Sequence, residues 1–370
     1  MSRIAHVVST FSPQLGGMGS VCASEAQAMA EQGHDVTVFT LQYSGKQDYS
    51  EEDKKFLFKV VRLKPLVKLG DAGLVPQILW KIGKKFDLVH LHYPFYGGAE
   101  WLNFVSVPMV ITYHMDAQAT GVKYIIQKVY DFIWPRILFT KAKKVITVDS
   151  SFNSSRFLKG VPLDRVVEIP NGVDTNIFKP QIADLGALHL ADLQDKKIIL
   201  FVGNLLPLKR LDLAIRSIKL LNNKDVVLLV VGGGDGVENY KQIAKDLGVD
   251  SQVRFVGPCA DRAKLAQYYN AAFCVVVPSD YESFSLVAIE AMACGKPLVL
   301  SDLDIFKNKF SGAVFFEKGS EISLKNALQE TFALSEEERD VAGKRGREEV
   351  LKNFSWESHI NKLKELYVRI

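Results

Sequence analysis

Apolar and polar positions follow two rhythms along this chain. Short β-branched runs recur at 4–9, 36–40, 88–92, 109–113, 145–148 and 166–169, and each reads as a buried strand. Between them lie stretches with helical spacing, one at 21–32 closed by Gly33 and a longer one at 122–142, where Pro135 predicts a kink. Strands alternating with helices predict a parallel sheet covered on both faces. The rhythm breaks at 171–196, where Asn171-Gly172 is a turn signal, Pro180 follows and the composition turns polar. A second series then runs through 198–202, 226–231, 253–256, 273–277 and 298–300, and Ser355-Trp356-Glu357 opens a last amphipathic helix. The pattern predicts an α/β protein of two Rossmann-like domains. The first spans 1–178 and the second 179–354, with the helix 355–370 after them.

The most informative unit is 274–301. Its strand ends at Pro278, a polar loop follows, and 284–294 is apolar except for Ser285 and Glu290 until Gly295 and Pro297 stop it. Such a helix should be buried. A carboxylate in its middle is costly unless partnered. Glu290 is therefore either one half of an ion pair with a buried Arg or Lys, or a group that accepts two hydroxyls of a ligand diol. Glu282 stands eight residues earlier. The N–H groups of Phe284, Ser285 and Leu286 would open the helix as an anion site. Two acids flanking an anion site suit a molecule built of sugar, phosphate and ribose.

Ligands of open α/β sheets bind at the carboxyl ends of strands, and the remaining candidates all follow strands. Phe11 to Gly19 contains Gly16, Gly17 and Gly19, which let a backbone approach a phosphate. A dinucleotide fingerprint fits poorly, because Cys22 replaces its third glycine and no acid ends the second strand. Residues 203–210 place Lys209 and Arg210 at a helix N-terminus, where cations are disfavoured and an anion between them would remove the conflict. Gly232 to Gly236 ends another strand, and Val256 lies at the end of a further one. His90, His92 and His114 gather at two strand ends, but three or four converging metal ligands cannot be assigned, and no metal is expected.

Composition narrows the setting. With 370 residues, 48% hydrophobic and 24% charged, two or three globular domains are expected. No apolar run approaches the roughly 20 residues of a membrane span. The N-terminus enters a strand pattern directly, and Cys22, Cys259, Cys274 and Cys294 form no metal spacing, so a reducing, cytoplasmic setting is expected. The net charge of +4 is uneven: residues 1–180 hold 21 Lys and Arg against 16 Asp and Glu, the rest 25 against 26. Arg62, Lys64, Lys68, Lys81, Lys84 and Lys85, together with the aromatic and basic stretch 123–144, form either a solvated face or a contact with an anionic membrane or acidic acceptor. Nucleic acid is not expected, since no recognised binding motif accompanies the charge.

The stretch PSDYESFSLVAIEAMACGKPLVLS resembles the signature of the retaining family 4 glycosyltransferases, whose two glutamates are separated by seven residues. The resemblance covers nearly the whole chain, least at 41–85 and 302–350. It implies the GT-B fold, with two parallel sheets facing a central cleft and a final helix crossing back to the first domain. It also implies transfer of a hexose from a UDP or GDP sugar to a glycan or lipid hydroxyl, without a cofactor or metal, at the cytoplasmic membrane surface if the basic half meets lipid. Carried over, Glu282 contacts the donor sugar and Glu290 the ribose. His114 faces the donor sugar, Gly16 and Gly17 lie under the diphosphate, and Lys209 stabilises it with the 284–286 amides. Gly233 and Val256 belong to the nucleotide side. Asn204 replaces the family's arginine, and Ser285 its glycine. Asp302-Leu303-Asp304 resembles the metal motif of transferases of another fold, in the wrong context. A sugar-nucleotide epimerase or hydrolase, or a catalytically silent sugar-nucleotide-binding protein, remains as an alternative.

Overall fold

A computed structural model of the chain describes residues 1–13, 16–43, 48–116, 122–149, 152, 155–234, 236–310 and 312–370. Gln14, Leu15 and Asp235, which belong to two of the glycine-rich stretches, lie outside the described residues. The chain divides into two compact units, 1–171 with 359–370, and 172–358. The expected boundaries lay at 178 and 355. Residues 172–178 go with the second unit because Val173 bridges Ser355 and the Phe178 ring meets Tyr269 edge-on at 5.8 Å.

In the first unit, β1 (Arg3–Val7), β2 (Asp35–Leu41), β3 (Lys59–Leu63), β6 (Leu88–Tyr93), β7 (Met109–Tyr113), β8 (Lys144–Thr147) and β9 (Val166–Glu168) form one sheet. Its order is β3-β2-β1-β6-β7-β8-β9, with every ladder parallel. A small antiparallel pair, β4 (Lys68–Leu69) and β5 (Ala72–Gly73), stands apart. In the second unit, β10 (Lys197–Val202), β11 (Val226–Val231), β12 (Val253–Gly257), β13 (Cys274–Val277), β14 (Leu298–Ser301) and β15 (Val314–Phe316) are ordered β12-β11-β10-β13-β14-β15, again all parallel.

The two faces of the first sheet differ in chemistry. Ala5, Val7, Val89, Leu91, Tyr93, Ile111 and Tyr113 join one hydrophobic core. Side chains alternate along a strand, so His6, His90, His92 and Thr112 occupy the opposite face. Register puts His6 beside His90 and His92 beside Thr112. All four are buried.

Both sheets are doubly wound. Strand order reverses between β1 and β6, and between β10 and β13. Loops leaving the carboxyl ends of strands at such a switch point diverge and leave a crevice for a ligand.

Candidate functional site

In the second unit the loops after β10 and β13 flank the switch point, and they are tied together. Asp280 N–H donates to the Leu208 carbonyl at 2.8 Å. Lys209 Nζ donates to Glu282 Oε1 at 2.6 Å, and Ser279 Oγ donates to the same oxygen at 2.8 Å. Ser301, at the end of β14, anchors the loop from below by donating to the Ser279 carbonyl at 2.7 Å. The Glu282 side chain is 10% exposed, so these partners stand around it where water otherwise would.

The expected conflict at the N-terminus of the helix Leu211–Leu221 is resolved within the protein. Arg210 sits at the N-cap with φ of 52°. Its guanidinium donates to both Asp212 oxygens at 3.0 Å and to Asp280 at 3.1 and 3.2 Å. Arg210 thus needs no bound anion, and Lys209 is the residue of the pair that the loop turns to Glu282. Asn204 is exposed on the same loop. Leu205 N–H donates to the Gly233 carbonyl, joining this loop to the one after β11. That joint tolerates no side chain at Gly232, where a Cβ would stand 1.9 Å from the Gly203 carbonyl oxygen. On the edge strand β12, register slips between Val230 and Val231, whose partners are Phe255 and Gly257. Val256 is the skipped residue, its backbone turned out of the ladder as in a β-bulge.

Ser285 shows why its position favours glycine. It is the N-cap of the helix Leu286–Ala293, with φ of 77°, in the left-handed region where a Cβ is strained. Its hydroxyl accepts from Ala288 N–H at 3.3 Å. Serine thus offsets part of the strain with a cap. Phe284 is buried, its ring edge-on to Phe354 at 5.8 Å.

Glu290 has a partner on each oxygen. Arg262 Nη2 donates to Oε1 at 3.1 Å and Tyr269 Oη to Oε2 at 2.7 Å. Burial pushes its carboxyl pKa up, while Arg262 and the Tyr269 hydrogen bond pull it back. Glu290 is thus ion-paired, but with an arginine whose side chain is 43% exposed rather than buried, and the pair is compatible with either role. A carboxylate has about four lone-pair positions, and these two bonds leave room for others.

Asp302 is spent structurally. It accepts from Lys318 N–H at 2.9 Å and from Lys307 at 3.3 Å, and the first of these is the main pull lowering its pKa.

In the first unit the glycines belong to a helix rather than to a loop before one. The first helix is Gly17–Glu31, with Gly16 as its extended N-cap. Three glycines carry no apolar period, so the pattern alone starts the helix late. Gly19 lets this turn rest on the first strand's loop, since a Cβ there would lie 2.6 Å from the Thr10 carbonyl oxygen.

His114 follows β7 and is buried, and it ends a row of imidazoles. His6 Nδ1 lies 3.1 Å from His92 Nε2, and His92 Nδ1 lies 3.0 Å from His114 Nε2. Burial lowers the pKa of His6 and of His114 to about 3, so both rings are neutral. The row continues into residues that the sequence pattern did not single out. His90 Nε2 meets Thr112 Oγ1 at 2.7 Å, and His90 Nδ1 meets the Tyr367 hydroxyl at 2.6 Å. His359 Nδ1 faces the Pro170 carbonyl at 2.7 Å, and its Nε2 faces Glu25 Oε1 at 3.0 Å. A carbonyl only accepts, so Nδ1 of His359 carries a proton. One further proton must then lie between His359 and Glu25.

Of the basic residues read as a surface, Arg62 is not one. Its side chain is 8% exposed, paired with Asp53 at 2.6 Å and donating to the Ser12 carbonyl.

Residues 15–177 match Glycosyltransferase Family 4 and residues 190–349 match Glycosyl transferases group 1. A D-inositol 3-phosphate glycosyltransferase of Jonesia denitrificans is 32% identical over 325 residues, covering 78% of this chain and 75% of that one. The chain belongs to the family 4 glycosyltransferases. Its fold is GT-B, and its reaction is transfer of a sugar from a nucleotide sugar. Sucrose-phosphate synthase of Thermosynechococcus elongatus superposes with a TM-score of 0.82 at 23% identity, covering 100% of this chain and 99% of that one. HepE of Anabaena, solved with UDP and glucose, superposes with a TM-score of 0.83 at 17% identity over 100% of both chains. At these identities the superpositions speak for the fold. Among the described residues, no helix is long and apolar enough to cross a membrane.

Proposed function

We propose that this glycosyltransferase moves a hexose, with retention of configuration, from a UDP or GDP sugar to a hydroxyl of a glycan or lipid precursor, and that the transfer step uses no metal ion or cofactor. The observation that carries the reading is the Lys209–Glu282 pair at the switch point of the second sheet. An ammonium and the open N-terminus of the helix Leu286–Ala293 provide positive charge for a departing diphosphate. Glu282, fixed by Lys209 and Ser279, orients the sugar. Glu290 takes the ribose, the Val256 backbone the base edge, and Gly233 the nucleotide side. The same proposal gives His114 the sugar-facing role, and Gly16 and Gly17 the diphosphate. The protein supplies position and charge, with no covalent nucleophile. Relatives named for D-inositol 3-phosphate favour an acceptor hydroxyl on a polyol or glycan.

The test is a panel of UDP and GDP sugars assayed for nucleoside diphosphate release. Release that requires an acceptor, needs no added divalent cation and gives a product with the donor's anomeric configuration is the expected result. Release without acceptor would make the protein a hydrolase. Binding without release would make it a silent sugar-nucleotide binder, a reading that Asn204 and Ser285 favour by departing from the family pattern.

The proposal includes contact with an anionic membrane through the first unit. On the helix Val122–Lys141, Ile125, Val129, Phe132, Ile133 and Ile137 are exposed and lie at helical spacing on one stripe. Lys128 and Arg136 are exposed beside them. An apolar stripe edged with cations suits the headgroup boundary of anionic lipid. Co-sedimentation with anionic vesicles at low salt is expected, with release at high salt and loss of binding in Phe132→Ser/Ile133→Ser. Equal sedimentation with neutral vesicles, or none, would remove the membrane from the proposal.

A further inference from the structure

The polar face of the first sheet holds a set of side chains that the transfer reaction does not use. His6 comes from β1, His90 and His92 from β6, and Glu25 from the first helix; one ligand atom from each lies within 4.8 Å of the others. Glu25 Oε2 is 3.3 Å from His90 Nδ1 and 3.7 Å from His92 Nε2, and His6 Nδ1 is 3.1 Å from His92 Nε2. Ligand atoms at Zn–N distances of 2.0–2.1 Å around a tetrahedral ion stand about 3.3 Å from one another. The separations bracket that value.

Protons alone leave this cluster incomplete. Glu25 Oε2 is buried with no hydrogen-bond partner. A buried acceptor without a donor is costly, and more so when it is ionised. The neighbours of Glu25 Oε2 are already engaged, His90 Nδ1 by the Tyr367 hydroxyl and His92 Nε2 by His6.

The outer atoms of three of these residues are held as metal ligands usually are. His90 Nε2 meets Thr112, His92 Nδ1 meets His114, and Glu25 Oε1 meets His359. From this geometry we propose that His6, Glu25, His90 and His92 bind one zinc ion as a closed structural site. Three imidazoles and a carboxylate are a donor set suited to zinc, and full enclosure leaves no open position for substrate. The ion takes the lone pair of His90 Nδ1, in place of that atom's hydrogen bond with the Tyr367 hydroxyl. It ties β1, β6 and the first helix together, and reaches the terminal helix through His359. The site does not depend on the transferase reading, because the ion takes no part in transfer.

The full chain, produced without a histidine tag in zinc-supplemented medium and desalted, is analysed for metal by mass spectrometry. About one zinc per chain is expected, with a lower melting temperature after chelation that ZnCl2 restores. Glu25→Gln keeps the size and loses the ligand. Its zinc affinity should fall by more than the roughly 10–100-fold that loss of an outer partner costs. His6→Gln is the second ligand variant, and His189→Ala, at a histidine outside the cluster, should keep its zinc. Cobalt in place of zinc should give tetrahedral ligand-field bands in the wild type that both ligand variants lose, with far-ultraviolet circular dichroism confirming that each is folded. A chain that carries no zinc and is not stabilised by ZnCl2 overturns the proposal. So does zinc retained by folded Glu25→Gln and His6→Gln, or lost from His189→Ala.

Discussion

Lys209→Ala lowers turnover by roughly 10²–10³, or about 2.7–4 kcal/mol of transition-state stabilisation, while ground-state donor binding falls much less. A diphosphate leaving group gains negative charge as the glycosidic bond breaks, and in the proposed reaction cations and amides meet it. Arg210 is less able to take over, because two carboxylates, Asp212 and Asp280, hold its guanidinium where one holds Lys209. Removing Lys209 also leaves Glu282 with Ser279 as its remaining anchor of the two described, so the acid proposed to orient the sugar loosens. Asn204→Arg, five residues earlier on the same loop, should partly restore turnover to Lys209→Ala if both side chains reach the same phosphates. Steady-state kinetics on both singles and the double close a thermodynamic cycle. Strict additivity, or near wild-type turnover in Lys209→Ala, would take this loop out of the reaction.

Glu290→Gln weakens donor binding by about 1.5–3 kcal/mol, roughly 10–150-fold in Kd. The substitution keeps the shape and removes the charge that, in the proposed site, strengthens hydrogen bonds from the ribose hydroxyls. It also disturbs the bonds from Arg262 and Tyr269, so a loss of stability is expected whatever the ligand does. A 2′,3′-dideoxy nucleotide separates the two effects. It should bind wild type and Glu290→Gln about equally in a titration, because it has no hydroxyls to lose. Tyr269→Phe removes one donor to the buried carboxylate and should lower stability while leaving the preference for ribose over dideoxyribose. An equal loss for both ligands in Glu290→Gln would make the glutamate purely structural.

Most strands legible in the sequence are buried on both faces, where a short β-branched run has no competing explanation; the edge strands β9 and β12 are half-buried and legible through their valine and phenylalanine runs. Pattern reading misses β3 and β15, which lie at sheet edges and are half-buried along most of their length, and the two-residue strands β4 and β5, which are too short to carry a pattern. Half-burial mixes lysine, arginine and glycine into or around the run and erases the contrast. Glu282 and Lys209 could be placed together only through the family motif, since 73 residues separate them and nothing local marks the approach. Glu25 and His6 were hidden for a related reason. Each interrupts an apolar pattern once, and a single polar residue in a buried element is uninformative until the residues across from it are known. His6 and His92 are 86 positions apart. The domain boundary moved by seven residues because the linker's polar composition begins before its chain leaves the second core.

The terminal helix, Trp356–Val368, buries Ile360, Leu363 and Leu366 and adds directed polar bonds from His359 and Tyr367. An apolar seam would accept small sliding, since one methyl is much like the next. These bonds do not. A one-residue slip along a helix advances it about 1.5 Å and turns it about 100°. That would carry His359 away from both Pro170 and Glu25, and Tyr367 away from His90. The polar bonds therefore key the contact: they fix one angular setting of the last helix and make its neighbouring settings costly.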